Sequence, residues 1–168
     1  MASRRLADLT PSMGAKAFDI RREFDSCSPV GVTLLVYCTY RSLEEQAILY
    51  RKGRSRAAIM TGARKLETVY GKSDFAKILR DAPPQSSRVQ VTGAMPGQGA
   101  HYYRLALDSA PIQAGHILWD DLALFDLYGE IAKEYGCIWG GDWKGKRRDR
   151  PHIQSTGFDW KELIKETI

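Results

Sequence analysis

His101-Tyr102-Tyr103-Arg104-Leu105-Ala106-Leu107-Asp108, read together with Asp149-Arg150-Pro151-His152, sets both the fold and the chemistry expected of this chain. The two segments supply three zinc-type donors, His101, Asp108 and His152, and one further carboxylate, Asp149. A catalytic zinc takes about three protein ligands and keeps one position for a water, whose pKa falls to roughly 7 on the metal. A carboxylate that does not ligate the ion is then needed to take up and return a proton, and Asp149 is the candidate. Fully extended, residues 101 to 108 would span about 23 Å at roughly 3.3 Å per residue, too far for both ends to meet one ion, so the chain must fold back near Tyr102–Arg104. Of the 3 histidines in the chain, His101 and His152 lie in short segments that each carry an aspartate and follow glycines. His116 has no such company and reads as structural.

Working outward, the chain gives an α+β pattern. Thr10-Pro11 is a helix start, with Thr10 as N-cap and proline at the first position, and Met13, Ala17, Ile20 and Phe24 then form one helical face. Val30–Tyr40 is rich in β-branched and aromatic residues and reads as a buried strand that delivers Arg41 at its end. Ser42-Leu43-Glu44-Glu45 matches a capping box, opening a helix that Gly53 ends. Gln46 falls in that helix's apolar stripe, either bonded to backbone or contacting substrate.

Leu105 and Leu107 alternate with Ala106 and Asp108, a strand with Asp108 on its functional face. Residues 121 to 135 form the clearest helix, with Leu124, Phe125, Tyr128, Ile131, Ala132 and Tyr135 on one stripe and Gly136 as its stop. Cys137-Ile138-Trp139 follows as a short strand, and Phe158 to Ile168 as a terminal helix. Trp139 and Trp143 flank the glycine turn as core and as cleft wall.

Tyr40-Arg41-Ser42-Leu43-Glu44-Glu45-Gln46, Leu49-Tyr50-Arg51-Lys52-Gly53-Arg54, Val91-Thr92-Gly93-Ala94-Met95-Pro96-Gly97-Gln98, His101…Asp108 and Trp139-Gly140-Gly141-Asp142-Trp143…His152 occur in that order. In this the chain resembles the zinc D-Ala-D-Ala carboxypeptidase and L-alanyl-D-glutamate peptidase family, in its phage endolysin branch. The resemblance implies a small single domain with a central antiparallel sheet flanked by helices and Zn2+ in a surface cleft, an architecture shared with hedgehog-type domains. It implies His101, Asp108 and His152 as zinc ligands, Asp149 as catalytic base, and Arg41 as the cation on the scissile carbonyl. A guanidinium suits that last role, being always charged and able to stabilise a developing oxyanion. Gln46, Arg104 and Trp143 are the candidate substrate contacts.

The chain also departs from the family's pattern. Gly99 stands where a serine is usual, and Tyr102-Tyr103-Arg104 where Asn-Tyr-Gly is usual. Arg104 therefore either avoids positive φ or accepts a strained conformation. Residues 55 to 88 read as an insertion, a lid or a surface decoration, within which Ser73 would cap a helix carrying Phe75, Ile78 and Leu79 that Asp81-Ala82-Pro83-Pro84 stops.

Composition fits one compact enzyme domain over residues 1–168, at 43% hydrophobic and 27% charged. No stretch approaches the roughly 20 apolar residues of a membrane span, and the basic start Met1-Ala2-Ser3-Arg4-Arg5 lacks the apolar core of a signal peptide. The expected setting is thus the host cytoplasm on synthesis, with action on the wall after release, and a monomer. The 3 cysteines show no metal-type spacing and read as reduced. A net charge of +5 fits an anionic partner, and Lys144, Lys146, Arg147, Arg148 and Arg150 form either a solvated loop or a holder for envelope carboxylates. Nucleic acid is not expected, because no aromatics interleave with this run.

The reading is a peptidoglycan endopeptidase, a phage endolysin cutting the L-Ala–D-Glu bond of the stem peptide. D-Ala-D-Ala carboxypeptidase action by the same site stands as the alternative. A zinc-containing wall-binding module without catalysis is the alternative of another class.

Overall fold

The computed structural model describes residues 2–167. In chain order its helices and strands are α1 (Pro11–Cys27), β1 (Val32–Cys38), α2 (Leu43–Arg51), α3 (Arg56–Thr68), α4 (Ser73–Asp81), β2 (Ala106–Gln113) and β3 (His116–Ile117). They continue with α5 (Leu122–Glu134), β4 (Cys137–Trp139), β5 (His152–Ser155) and α6 (Trp160–Glu166). The fold is α+β around a central antiparallel sheet, as expected. The chain forms two compact units: a sheet unit of residues 2–40 and 103–158, and a helical unit of residues 41–102 and 159–167.

In the sheet unit the strand order is β1-β2-β5-β4, with β3 paired to β2. Val32, Leu34, Leu107, Ile153, Cys137 and Trp139 pack against the stripes Met13-Ala17-Ile20-Phe24 of α1 and Leu124-Tyr128-Ile131-Ala132 of α5. Each large side chain buried there is worth roughly 1.5–3 kcal/mol, which is why this face is apolar throughout. Phe24 and Tyr128 meet edge to face at 6.4 Å. Thr10 caps α1 by accepting from the Met13 amide, and Asp121 caps α5 by accepting from Leu124.

Because side chains alternate along a strand, the residues between these core positions face the other way. Asp108 and His152 belong to that second set, one step from Leu107 and Ile153. A bulge in β1 between Val36 and Cys38 shifts the register by one residue and brings Cys38 opposite Asp108. β1 is shorter than the expected Val30–Tyr40, and Val30, 98% exposed, lies in the turn before it.

The helical unit packs α2, α3, α4 and α6 around Ala47, Ile59, Ala63, Leu66, Phe75, Leu79, Met95 and Ile164. Ser42 caps α2 by accepting from the Glu45 amide, as the capping-box pattern requires. The 55–88 stretch holds two helices where one was expected, because Ile59, Ala63 and Leu66 supply a buried stripe of their own. Ser73 is the first residue of α4 and not its cap; Lys72 occupies that position without a side-chain bond. α6 begins at Trp160, two residues later than the expected Phe158, and the final residue of that expected helix, Ile168, lies outside the described residues. No helix among the described residues is long and apolar enough to cross a membrane.

Candidate metal centre

Asp108 and His152 are paired residues on the adjacent strands β2 and β5. Directly opposed side chains in an antiparallel ladder share a face, and here Asp108 Oδ1 and His152 Nδ1 come within 3.0 Å. Both residues are 7% exposed. The far ring nitrogen, Nε2, lies 3.0 Å from Gln154 Oε1. An amide oxygen only accepts, so Nε2 carries a hydrogen, while Nδ1 faces the carboxylate and either donates a second hydrogen to it, in the charged ring, or keeps a lone pair that a metal ion can take. A proton fills that gap in the charged ring, and a metal ion can take its place when both groups are deprotonated. Their separation is close to the about 3.3 Å expected for two ligand atoms at tetrahedral zinc distances. The donor set therefore fits a zinc ion, with Gln154 in the outer-shell position that fixes a ligating histidine.

Burial of the His152 ring works against its charged form. The hydrogen bond and charge of Asp108 outweigh it, assisted by Gln154 and by the charge of Asp149, so the pKa stands above the ordinary histidine value. The sheet row extends one strand further to Cys38, 2% exposed, whose thiol and the Asp108 carboxylate offer donor atoms within 4.8 Å of each other. None of Cys27, Cys38 and Cys137 is in a disulfide.

The loop before β5 is held by its backbone. The Asp149 amide donates to the Gly140 carbonyl at 2.9 Å, and the Asp149 carbonyl accepts from the His152 amide at 3.2 Å. A Cβ on Gly140 would fall 2.4 Å from the Asp149 carbonyl oxygen, so only glycine permits this approach. The Trp139 indole donates to the Arg150 carbonyl at 2.7 Å, and the Ser109 amide to the Pro151 carbonyl at 3.0 Å. Asp149 is exposed on this anchored loop. Trp143 lies against the His152 ring at 5.1 Å between centroids. Lys144, Lys146, Arg147 and Arg148 are exposed.

Arg104 has φ 61°, so the arginine accepts the left-handed conformation. Its guanidinium lies 4.9 Å from the Tyr40 ring centroid, which anchors the side chain in place. His116 is exposed in the β2–β3 hairpin.

In the helical unit, Arg41 Nη1 donates to Gln46 Oε1 at 3.2 Å, and Gln46 Nε2 donates to the Ala94 carbonyl at 2.7 Å. Gln46, 4% exposed, thus links Arg41 to the 92–94 backbone. His101 is buried in this unit, two residues before the sheet unit resumes.

Sequence reasoning did not single out Gln154 or Cys38. Gln154 was legible, since two residues beyond His152 on a strand is the same face. Cys38 was not, because its place opposite Asp108 depends on the β1 bulge.

The sheet unit thus sets a buried His–Asp donor pair beside a backbone-anchored loop that carries Asp149, an arrangement that fits a metallopeptidase. Residues 92–155 match the family model described as D-alanyl-D-alanine carboxypeptidase. That match is a similarity over one segment, well under half of the 168 residues. The chain is 29% identical over 133 residues to the peptidoglycan L-alanyl-D-glutamate endopeptidase CwlK of Bacillus subtilis, a match that covers 74% of this chain and 61% of that protein. Among solved structures, a zinc-bound mutant of the vancomycin resistance D,D-pentapeptidase VanY shares the fold, with TM-score 0.50 and 16% identity over 95% of this chain and 79% of that one. The L-Ala D-Glu endopeptidase ChiX of Serratia marcescens aligns with TM-score 0.48 and 16% identity over 93% of this chain and 89% of that one.

Proposed function

We propose that the chain is a zinc peptidase of peptidoglycan that cuts the L-Ala–D-Glu bond of the stem peptide, in the setting of a phage endolysin. The reading makes residues 1–168 one peptidase domain, with His101, Asp108 and His152 as ligands. The observation that carries it is the buried Asp108–His152 pair, whose facing donor atoms have the spacing of two metal ligands. The 92–155 match includes all three ligands and Asp149, and the CwlK relative cuts this bond by name.

Bound zinc supplies Lewis-acid activation of a water molecule and of the scissile carbonyl. Asp149, held by its backbone and open to solvent, takes up the proton of that water and returns it to the departing amine. Arg41 stabilises the oxyanion, and Gln46 fixes the guanidinium in the orientation this requires. Trp143 and Arg104 contact substrate at the cleft wall, and the exposed basic loop meets the anionic envelope.

The family model's own description favours one second reading, carboxypeptidase action on terminal D-Ala-D-Ala. The two differ in which end of the stem peptide is seated, not in the residues that act. Metal analysis tests the shared core of both. One zinc per chain is expected, lost in His152→Ala and Asp108→Ala; undiminished zinc in those variants would contradict the ligand set.

A further inference from the structure

The helical unit holds a cleft of about 420 Å³ walled by α2, α3, the 93–98 loop and α6. That volume lies within the roughly 300–1,000 Å³ of small-molecule sites. Tyr50, Tyr70 and Trp160 line it, each half-buried, packed on the unit's core and also bordering the cleft. The Arg54 guanidinium stacks 3.8 Å from the Tyr50 ring centroid and donates to the Thr92 carbonyl at 2.7 Å. Tyr70 and Trp160 meet edge to face at 5.3 Å.

Lys65 and Gln98 place donors beside these rings, and the Thr61 hydroxyl, which donates to the Ala57 carbonyl, adds an acceptor. Lys65 Nζ stands 5.9 Å from the Tyr70 centroid. Gln98 uses its carbonyl oxygen to accept from the Met95 amide, so what it offers a ligand is its amide nitrogen. No carboxylate is found among the described lining residues. The matching ligand has extended C–H faces to cover three aromatic rings and a rim of hydroxyl, carbonyl or carboxyl acceptors. An N-acetylated amino sugar has both, whereas a stem peptide supplies carboxylates but little ring face.

We infer that this cleft binds the N-acetylated amino-sugar backbone of the wall polymer, an inference that rests on the peptidoglycan reading above. α3, part of the stretch read as an insertion, supplies one wall through Ala58, Thr61 and Lys65. The inserted residues thereby hold the glycan while the peptidase residues act on the attached peptide. This assigns the enzyme a grip on its polymer separate from the stem-peptide contacts.

Calorimetric titration of the zinc-loaded protein with a β-1,4-linked N-acetylglucosamine tetramer tests the assignment. Two variants accompany it: Trp160→Ala, which removes a ring, and Ala58→Trp, which fills the cleft from an exposed helical position away from the core. Thermal unfolding reports whether each variant is folded. Binding by the native protein, weakened about tenfold or more in both folded variants, is expected. The ratio of turnover on intact sacculi to turnover on free stem peptide should fall with it. No binding by the native protein, full binding by Ala58→Trp, or displacement of the sugar by free stem peptide would overturn the inference. Stem-peptide hydrolysis by the same native preparation separates the two readings. Hydrolysis without sugar binding removes the cleft alone, and sugar binding without hydrolysis removes the peptidase reading alone.

Discussion

Asp108 and His152 stand opposite one another on β2 and β5, with Oδ1 and Nδ1 3.0 Å apart and both residues buried. The raised His152 pKa follows from this pairing, and it dictates how pH acts on the metal-free protein. A folded pKa above the unfolded value of about 6.5 contributes stability that is complete below that value and is lost as pH rises through the folded value. Metal-free protein should therefore lose this increment on the alkaline side, and Asp108→Asn should remove it. Unfolding midpoints measured across pH 5 to about 9 check both statements.

If His152 and Asp108 ligate zinc as proposed, the ion would replace the proton on the ring, and zinc affinity should climb with pH until the ring is deprotonated. Competition titration against a chelator at several pH values reads this directly. A flat profile across that range would separate the pair from the metal.

Gln154 accepts from His152 Nε2 and orients the ring. Gln154→Ala should weaken zinc binding about 10–100-fold with the fold retained. Unchanged affinity in the same chelator titration would show that the ring is held by other contacts.

Arg41 acts at the carbonyl in this account and Gln46 acts on Arg41. Arg41→Ala should cost about 10²–10³ in kcat, and Gln46→Leu a smaller part of it, with zinc content unaltered in both. Steady-state kinetics on a soluble stem peptide distinguish the loss of kcat from a rise in KM.

Gly140→Ala puts a Cβ 2.4 Å from the Asp149 carbonyl oxygen. About 1–3 kcal/mol of stability should be lost, and activity should fall further as the loop that carries Asp149 shifts. Denaturant unfolding together with kinetics on the folded fraction separates these effects.

Much of this was legible in the chain itself. The stripes of α1 and α5 are periodic enough to place both helices and their buried residues, because burial against one sheet face demands that periodicity. The caps at Thr10 and Ser42 were legible because each rests on a short local bond. α3 escaped because its buried stripe is built from Ile59, Ala63 and Leu66, short of bulk and interrupted by Gly62. Ser73 was misread as a cap because whether a serine caps a helix or begins it depends on the backbone of Lys72. The metal-type residues were evident from their types and order. The pairing of Asp108 with His152 follows from strand register, a long-range property that local patterns do not encode.

Mass spectrometry of fragments released from purified peptidoglycan tests the central claim most directly. Native, chelated and zinc-restored protein and the Asp149→Ala variant are compared, with folding and zinc content of the variant verified. The account predicts released peptides with new N-terminal D-Glu from native and zinc-restored protein only. Loss of single D-Ala residues would contradict the bond assignment and support the carboxypeptidase reading, and absence of any product from folded, zinc-loaded native protein would contradict the enzyme and leave a binding module.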